Sequence, residues 1–253
     1  MSLPNPSLLL QADEMAFSCL PFKRLDPATP SLVQDILSLA NKYEMLQLRD
    51  RIVTHLEGDW PQSLWQWDRL EAEVQATVVS WEDEFSSTGV LGYPDDHLPE
   101  PASAILLARS CNIPTILPAA FYHLSRLSIH NDRHSSRQKL STQESSSYHD
   151  CLKEGQRTAN WELLSTPDYI SLLRGRAALR EIAHMLCSFV AMSTCIHSST
   201  NCFQSRQVSL IMEIRDACMQ SLDILETTRI YTLSQDFGDG ICSKCCKYLR
   251  VEL

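Results

Sequence analysis

Apolar residues recur at helical spacing through most of the chain, and two short stripes show the pattern first. One stripe consists of Leu32, Ile36, Leu39 and Tyr43, and the next, after a break at Glu44-Met45, consists of Leu48, Ile52, His55 and Leu56. Spacings of three and four residues are typical of the helix face that is turned towards a core. No run of alternating β-branched residues bounded by turn signals is present. The sequence therefore predicts an all-α, multi-helix bundle without a substantial β-sheet.

A third helix is predicted to begin at Asp59-Trp60-Pro61, because proline in the first turn loses no helical hydrogen bond. Its apolar face continues through Leu64, Trp67, Leu70, Val74 and Val78. Trp67 lies on that stripe and is predicted to face inwards. Trp65 lies off the stripe, which makes it the better candidate for an exposed aromatic residue that anchors a partner.

The remaining chain is predicted to form two helical subdomains separated by a polar loop. After an irregular, proline-containing stretch at 82–101, helical spacing continues to residue 127. The next stretch is rich in Ser, His, Asp, Gln and Lys and has little apolar periodicity, so we expect a mobile loop that native proteolysis cuts first. Thr166-Pro167-Asp168 marks the start of a long helix, or of a pair broken at Gly175. The predicted divisions are a helical subdomain at 59–127, the loop at 128–158 and a C-terminal helical subdomain at 159–253.

Charge and cysteine usage indicate an intracellular protein that binds other proteins. With 31 acidic and 22 basic residues, the net charge of -9 has the wrong sign for binding nucleic-acid phosphates. No apolar run approaches the ~20 residues of a membrane-spanning helix, and the first residues lack the basic region of a secretory signal. Ten scattered cysteines are typical of a reducing compartment. We expect a cytoplasmic or nuclear protein with a protein partner, and neither nucleic acid nor membrane as a ligand.

The sharpest local motif is the pair Cys242 and Cys245, because two thiolates in one tight turn can bind a single metal ion. A second pair, Cys195 and Cys202, lies in a polar segment between two predicted helices. Four soft ligands would favour a structural zinc ion, with His197 as a substitute for Cys195. The alternative is that these cysteines are reduced thiols packed at helix ends. Three others fall in apolar helical stretches and are predicted to be core residues: Cys111, Cys187 and Cys218.

The sequence supports a catalytic function less well than it supports a zinc site. A cysteine- or metal-dependent hydrolase could use Cys151 with one of the histidines His123, His130, His134 and His149, but most of these positions fall in the predicted loop, and a catalytic site needs rigid support. The glycine-rich motifs that bind nucleotide phosphates, G-x-x-x-x-G-K-[ST] and G-x-G-x-x-G, are both absent from the sequence. The basic cluster Arg174, Arg176 and Arg180 is typical of a solvated or salt-bridged helix face, although it could dock an acidic peptide. The sequence thus favours a protein that is not an enzyme.

Residues 37–56 resemble the last two helices of a BTB/POZ domain, with its alanine-containing helix, Lys-Tyr pair, Leu-Arg turn and His-Leu ending. The matching positions are Leu39, Ala40, Lys42, Tyr43, Leu48, Arg49, His55 and Leu56. Together with DWPQSLWQWD, PEPASAILLARSCNIPTILPAAFYHLSRL and GICSKC, they resemble a group of fungal BTB-domain proteins over residues 20–253. The resemblance implies that 20–58 is the end of a BTB domain and that a helical region follows it.

A BTB domain also contains a sheet and further helices, and the residues before 20 are too few to form them. The dimer-forming and cullin-docking surfaces that the resemblance would imply belong mostly to that part, so neither property is carried over. We therefore expect a monomer that acts as a non-catalytic adaptor or scaffold of the BTB type, with a structural zinc site at its C-terminal end.

Overall fold

The structure is a computed structural model of the 253-residue chain, and it describes residues 22–88, 94–134, 157–192 and 206–233. These residues form eight α-helices and no strand, which confirms the predicted all-α fold. Backbone pairing of the β type is limited, in the described part, to one isolated bridge between Asp132 and Ala159. The chain divides into two compact units, Met1–Leu164 and Ser165–Leu253, here named unit 1 and unit 2.

The described part of unit 1 contains five helices and three short 3-10 turns. The helices are α1 (Thr29–Lys42), α2 (Leu46–Asp59), α3 (Leu64–Thr88), α4 (Pro101–Ser110) and α5 (Leu117–Ser125). The turns are Pro94–His97, Pro114–Ile116 and Trp161–Leu163. The helices α1 and α2 pack on each other, α1 also packs on α4, and α4 packs on α5. Trp60, Ile105 and Leu124 are among the largest fully buried side chains at the centre of this unit.

The turn between α1 and α2 has a defined backbone geometry. Glu44 adopts a left-handed conformation with a φ of 55°, and the amide of Met45 donates to the carbonyl of Ala40 at 2.9 Å. The amide of Glu44 also donates to the carbonyl of Asn41 at 3.4 Å, so the two bonds form a Schellman motif that closes the end of α1. The predicted break at Glu44-Met45 is confirmed, and the turn fixes the direction in which α2 leaves α1.

The buried face of α1 differs from the predicted one. Val33, Leu37 and Ala40 are buried, whereas Leu32 and Leu39 keep about half of their surface exposed, at 55% and 51%. The prediction that the stripe containing Leu32 and Leu39 faces the core is therefore wrong. The reason is that α1 carries two adjacent apolar stripes, and the stripe that includes the small side chain of Ala40 packs against α2 and α4.

The inward face of α3 follows the prediction more closely. Trp67, Leu70 and Val74 are buried, and Trp65 is 69% exposed, so the assignments of Trp67 to the core and Trp65 to the surface are confirmed. Leu64, which was expected on the inner face, is 67% exposed.

Unit 2 contains α6 (Thr166–Met192), α7 (Arg206–Gln220) and α8 (Ile224–Leu233), and α6 continues through Gly175 without a break. The start of α6 is capped by Ser165, whose backbone amide and hydroxyl both donate to the carboxylate of Asp168, at 3.2 and 2.5 Å. The core of the unit consists of Cys187, Ile211, Ile214, Cys218 and Ile224. Cys111, Cys187 and Cys218 are all buried free thiols, as predicted.

Candidate functional site

Residues 157–160, here named the clasp, are held against the rest of unit 1 by polar contacts from all four residues. The guanidinium of Arg157 lies 3.0 Å from Nε2 of His123 and 3.6 Å from the carboxylate of Glu71. Only 9% of the Arg157 side chain is exposed. A buried cation needs a nearby carboxylate, because an unpaired charge in a low-dielectric interior is strongly unfavourable. Glu71 on α3 provides that carboxylate.

Glu71 also binds Arg126, so one carboxylate faces two guanidinium groups. The nitrogens of Arg126 lie 2.9 and 3.2 Å from the two Glu71 oxygens, and the Arg126 guanidinium stacks 5.1 Å from the ring centroid of Trp67. A hydrogen bond between two charged groups is among the stronger ones in proteins. Glu71 therefore links α3 both to the residue that follows α5 and to the clasp.

His123, on α5, is completely enclosed. Burial lowers its pKa well below the ordinary value, and the nearby cations Arg157 and Arg126 lower it further. The imidazole is thus neutral at physiological pH, and because arginine can only donate, Nε2 accepts and Nδ1 carries the proton. The rings of Trp60 and Trp67 meet the imidazole edge-on, with centroids 5.8 and 6.3 Å away. No hydrogen-bond partner of His123 Nδ1 is found in the described structure.

The rest of the clasp contacts three other parts of unit 1. The hydroxyl of Thr158 donates to the carboxylate of Asp95, whose pKa is raised by burial. Ala159 pairs with the backbone at 131–133 through bonds of 3.2 and 3.0 Å. The amide of Asn160 donates to Glu100 at 3.0 Å, and Glu100 also caps the start of α4 by accepting from the amides of residues 102 and 103.

These contacts define what the buried cluster can do. A general base must reach the proton that it removes, and it must be able to take up that proton. His123 is 1% exposed, and two neighbouring guanidinium groups oppose its protonation. The geometry is suited to fastening residues 157–160 to helices α3, α4 and α5, and it gives His123 no route to a substrate.

The two ends of the predicted loop 128–158 have defined contacts in the structure. Arg157 and Thr158 are buried, and the backbone of Asn131 and Arg133 pairs with Ala159. Sequence analysis missed the clasp because its side-chain partners are distant along the chain: His123 and Asp95 lie 34 and 63 residues away, and Glu71 lies farther still. The pattern Arg-Thr-Ala-Asn has no local signal that distinguishes a buried polar strap from a solvated loop.

The predicted zinc ligands Cys195, Cys202, Cys242 and Cys245, with the alternative His197, lie outside the described residues, as do Cys151 and His149. Within the described ranges, no group of three or more His, Cys, Asp or Glu side chains is placed to hold a metal ion. The described histidines of the hydrolase alternative lie in different environments: His123 is buried, whereas His130 and His134 are exposed.

The apolar stripe of α1 forms the clearest exposed surface feature. This surface, here named the α1 seam, consists of Leu32, Ile36, Leu39 and Tyr43. Tyr43 is 63% exposed, and Leu46, at the start of α2, extends the apolar surface with 66% exposure. Two exposed charged residues, Asp35 and Lys42, lie beside the seam on the same helix, and the Lys42 ammonium lies 5.4 Å from the centroid of the Tyr43 ring.

The outer face of α6 is apolar only in patches. Its exposed apolar residues are Ile170, Leu173, Ile182 and Met185. Arg174 and Glu181, which are also exposed, interrupt this surface. Of the basic cluster predicted to face solvent, Arg174 is exposed, whereas Arg176 and Arg180 are partly buried. The α1 seam is thus the more continuous of the two apolar surfaces.

None of the helices in the described ranges combines the length and the apolar character needed to cross a membrane. Comparison of the chain with protein-family models, with curated proteins and with solved structures found no match.

Proposed function

We propose that the chain is a non-catalytic protein-interaction module, an adaptor or scaffold, whose α1 seam binds a helix of a partner polypeptide. The observation that carries the proposal is a row of four apolar side chains at spacings of four, three and four residues on a single helix, of which three are exposed and Ile36 is partly buried. Exposed leucines scattered singly need no explanation, but a continuous row at this spacing is typical of a surface that another helix covers.

The spacing also indicates the class of partner. Positions separated alternately by four and three residues form the seam of a coiled coil, in which each side chain inserts between residues of the facing helix. A helix that binds such a seam would present its own apolar residues at the same intervals. The expected partner surface is therefore an amphipathic helix.

The α1 helix is held in place by the rest of unit 1, which lowers the entropic cost of binding a partner at the seam. The inner face of α1 packs on α2 and α4, and the Schellman motif fixes the turn that follows Tyr43. Because α1 is already ordered, a partner does not have to fold it on binding, and less of the interaction energy is spent on ordering. The enclosed state of His123 supports the non-catalytic part of the proposal, since the most perturbed histidine of the described chain is sealed within a structural cluster.

Site-specific photo-crosslinking tests the proposal. A photoreactive amino acid at Leu39 in the full chain, produced in its native cells, should crosslink to a polypeptide. The matched control is the same amino acid at Leu64, which is more exposed but lies on α3 outside the seam. Strong crosslinks at Leu39 and few at Leu64 are expected. Equal crosslinking at the two positions, or none at Leu39, would contradict the proposal.

A further inference from the structure

We infer that the helix bound by the α1 seam is α1 of a second copy of this chain, placed antiparallel about a twofold axis. This inference rests on the proposed function of the seam and identifies its partner. It follows from the order of apolar and charged residues along α1, which is complementary to itself when the helix is reversed.

The apolar residues match in the reversed orientation. In coiled-coil notation, Leu32 and Leu39 occupy d positions, and Ile36 and Tyr43 occupy a positions. An antiparallel pair places a against d, so Ile36 faces Leu39 of the second copy and Leu32 faces its Tyr43. The twofold axis repeats both layers, and the four seam side chains of each copy are all covered.

The charges match in the same register. Asp35 and Lys42 are both g positions, and both are exposed. In an antiparallel pair, g residues flank the seam opposite g residues, so Asp35 faces Lys42 of the second copy and the twofold axis generates the second pair. The register that aligns the apolar layers therefore also forms two ion pairs.

A parallel arrangement does not have this match. There, the g residues of one helix face the e residues of the other. The e positions of α1 are Val33 and Ala40, which are buried against α2 and α4. Asp35 and Lys42 would therefore gain no charged partner. The charge pattern favours the antiparallel pair.

The extent of the seam predicts a weak dimer. A stable interface buries about 800 Å² on each partner, whereas the three exposed seam side chains, the partly buried Ile36 and the exposed Leu46 provide a patch of roughly 300–600 Å². We expect monomers at low concentration and reversible dimers as the concentration rises. The expectation of a monomer from the sequence considered only the interface of the family that the chain resembles, and the seam is a separate surface.

Sedimentation velocity of the full chain, from about 1 µM to about 1 mM, tests the inference. The wild-type sedimentation coefficient should rise with concentration, and Leu39→Glu should abolish the rise. D35K and K42D should each weaken dimerisation about tenfold, because each replaces two attractive pairs by two repulsive ones. The double variant D35K/K42D should restore it, and a mixture of the two single variants should form heterodimers. Q34K, on the solvent side of α1, is the matched control and should dimerise like the wild type.

Two outcomes would overturn the inference: a chain that stays monomeric at every concentration, or a dimer that charge exchange does not affect. If the chain stays monomeric but Leu39 crosslinks to a different polypeptide, only the identity of the partner is wrong, and the proposed function stands. A crosslink from Leu39 to residues 1–21 within a monomer would reject the second copy as occupant. If Leu39 gives no crosslink and no dimer forms, both proposals fail.

Discussion

Substitutions at Glu71 and Arg157 test whether the clasp stabilises unit 1. Glu71→Gln removes the carboxylate that pairs with Arg126 and Arg157, of whose side chains only 10% and 9% are exposed. Removing one partner of a buried ion pair costs about 3–5 kcal/mol, and since 23% of the Glu71 side chain is exposed we expect about 2–4 kcal/mol. Arg157→Met removes the donor to His123 but leaves Glu71 bound to Arg126, so about 1–2 kcal/mol is expected.

The double variant gives the sharper test. When Glu71 is already Gln, Arg157 has lost the charge of that carboxylate, so the further substitution Arg157→Met should cost about 1–2 kcal/mol less than it does in the wild type. The free energy of unfolding of unit 1 can be measured by urea denaturation followed by tryptophan fluorescence, because all five tryptophans lie within Met1–Leu164. R69M is a matched control, since Arg69 is half-exposed and pairs with Glu73 at 3.4 Å, and such surface pairs contribute about 0–1 kcal/mol. This account of the clasp would be refuted if the effects of E71Q and R157M on the free energy of unfolding were additive. It would also be refuted if E71Q lowered the free energy of unfolding no more than R69M does.

Three further outcomes can be measured. Glu100→Ala should destabilise unit 1 by about 2 kcal/mol in the same urea assay, because three backbone amides lose their acceptor, and Glu100→Gln should cost less. The stability of unit 1 should fall as pH decreases below about 6.5, since unfolding lets His123 take up a proton that the folded state excludes, and His123→Asn should flatten this dependence. Replacing Cys242 or Cys245 by Ser should release the proposed zinc ion, whereas Cys246→Ser should leave the metal content unchanged; elemental analysis that finds no zinc in the wild type would reject the site.

The all-α fold could be predicted because helical periodicity is a local property of the sequence. The break at Glu44-Met45 and the positions of Trp65 and Trp67 follow from the same local pattern. Burial of α1 could not be predicted in this way. Its two apolar stripes are adjacent on the helix, and periodicity alone does not say which one meets the rest of the unit. The packing of α1 on α2 and α4 decides, and the stripe that contains the small Ala40 is the one buried there.

The buried polar cluster shows a second limit of sequence reasoning. Polar residues are usually exposed, so Arg157 and Thr158 were assigned to a loop. Their burial depends on Glu71 and Asp95, which belong to distant parts of the chain and offset the loss of hydration only when the fold brings them close. A short stretch of sequence contains neither the residues that pair with Arg157 and Thr158 nor any information on how close the fold brings them.

The clasp and the α1 seam both depart from the usual distribution of polar and apolar residues in a folded protein. Arg157, of a residue type that usually faces water, is buried and paired with the partly buried Glu71, whereas leucines of α1 face solvent. Burying a paired charge adds little stability over an apolar core, but it requires specific partners and so favours one arrangement. The exposed seam does not stabilise the isolated chain, because the apolar area of the seam is removed from water only when another surface covers it. The interior therefore fixes one structure for α3, α4 and α5, and the favourable burial that α1 still lacks is available only through association.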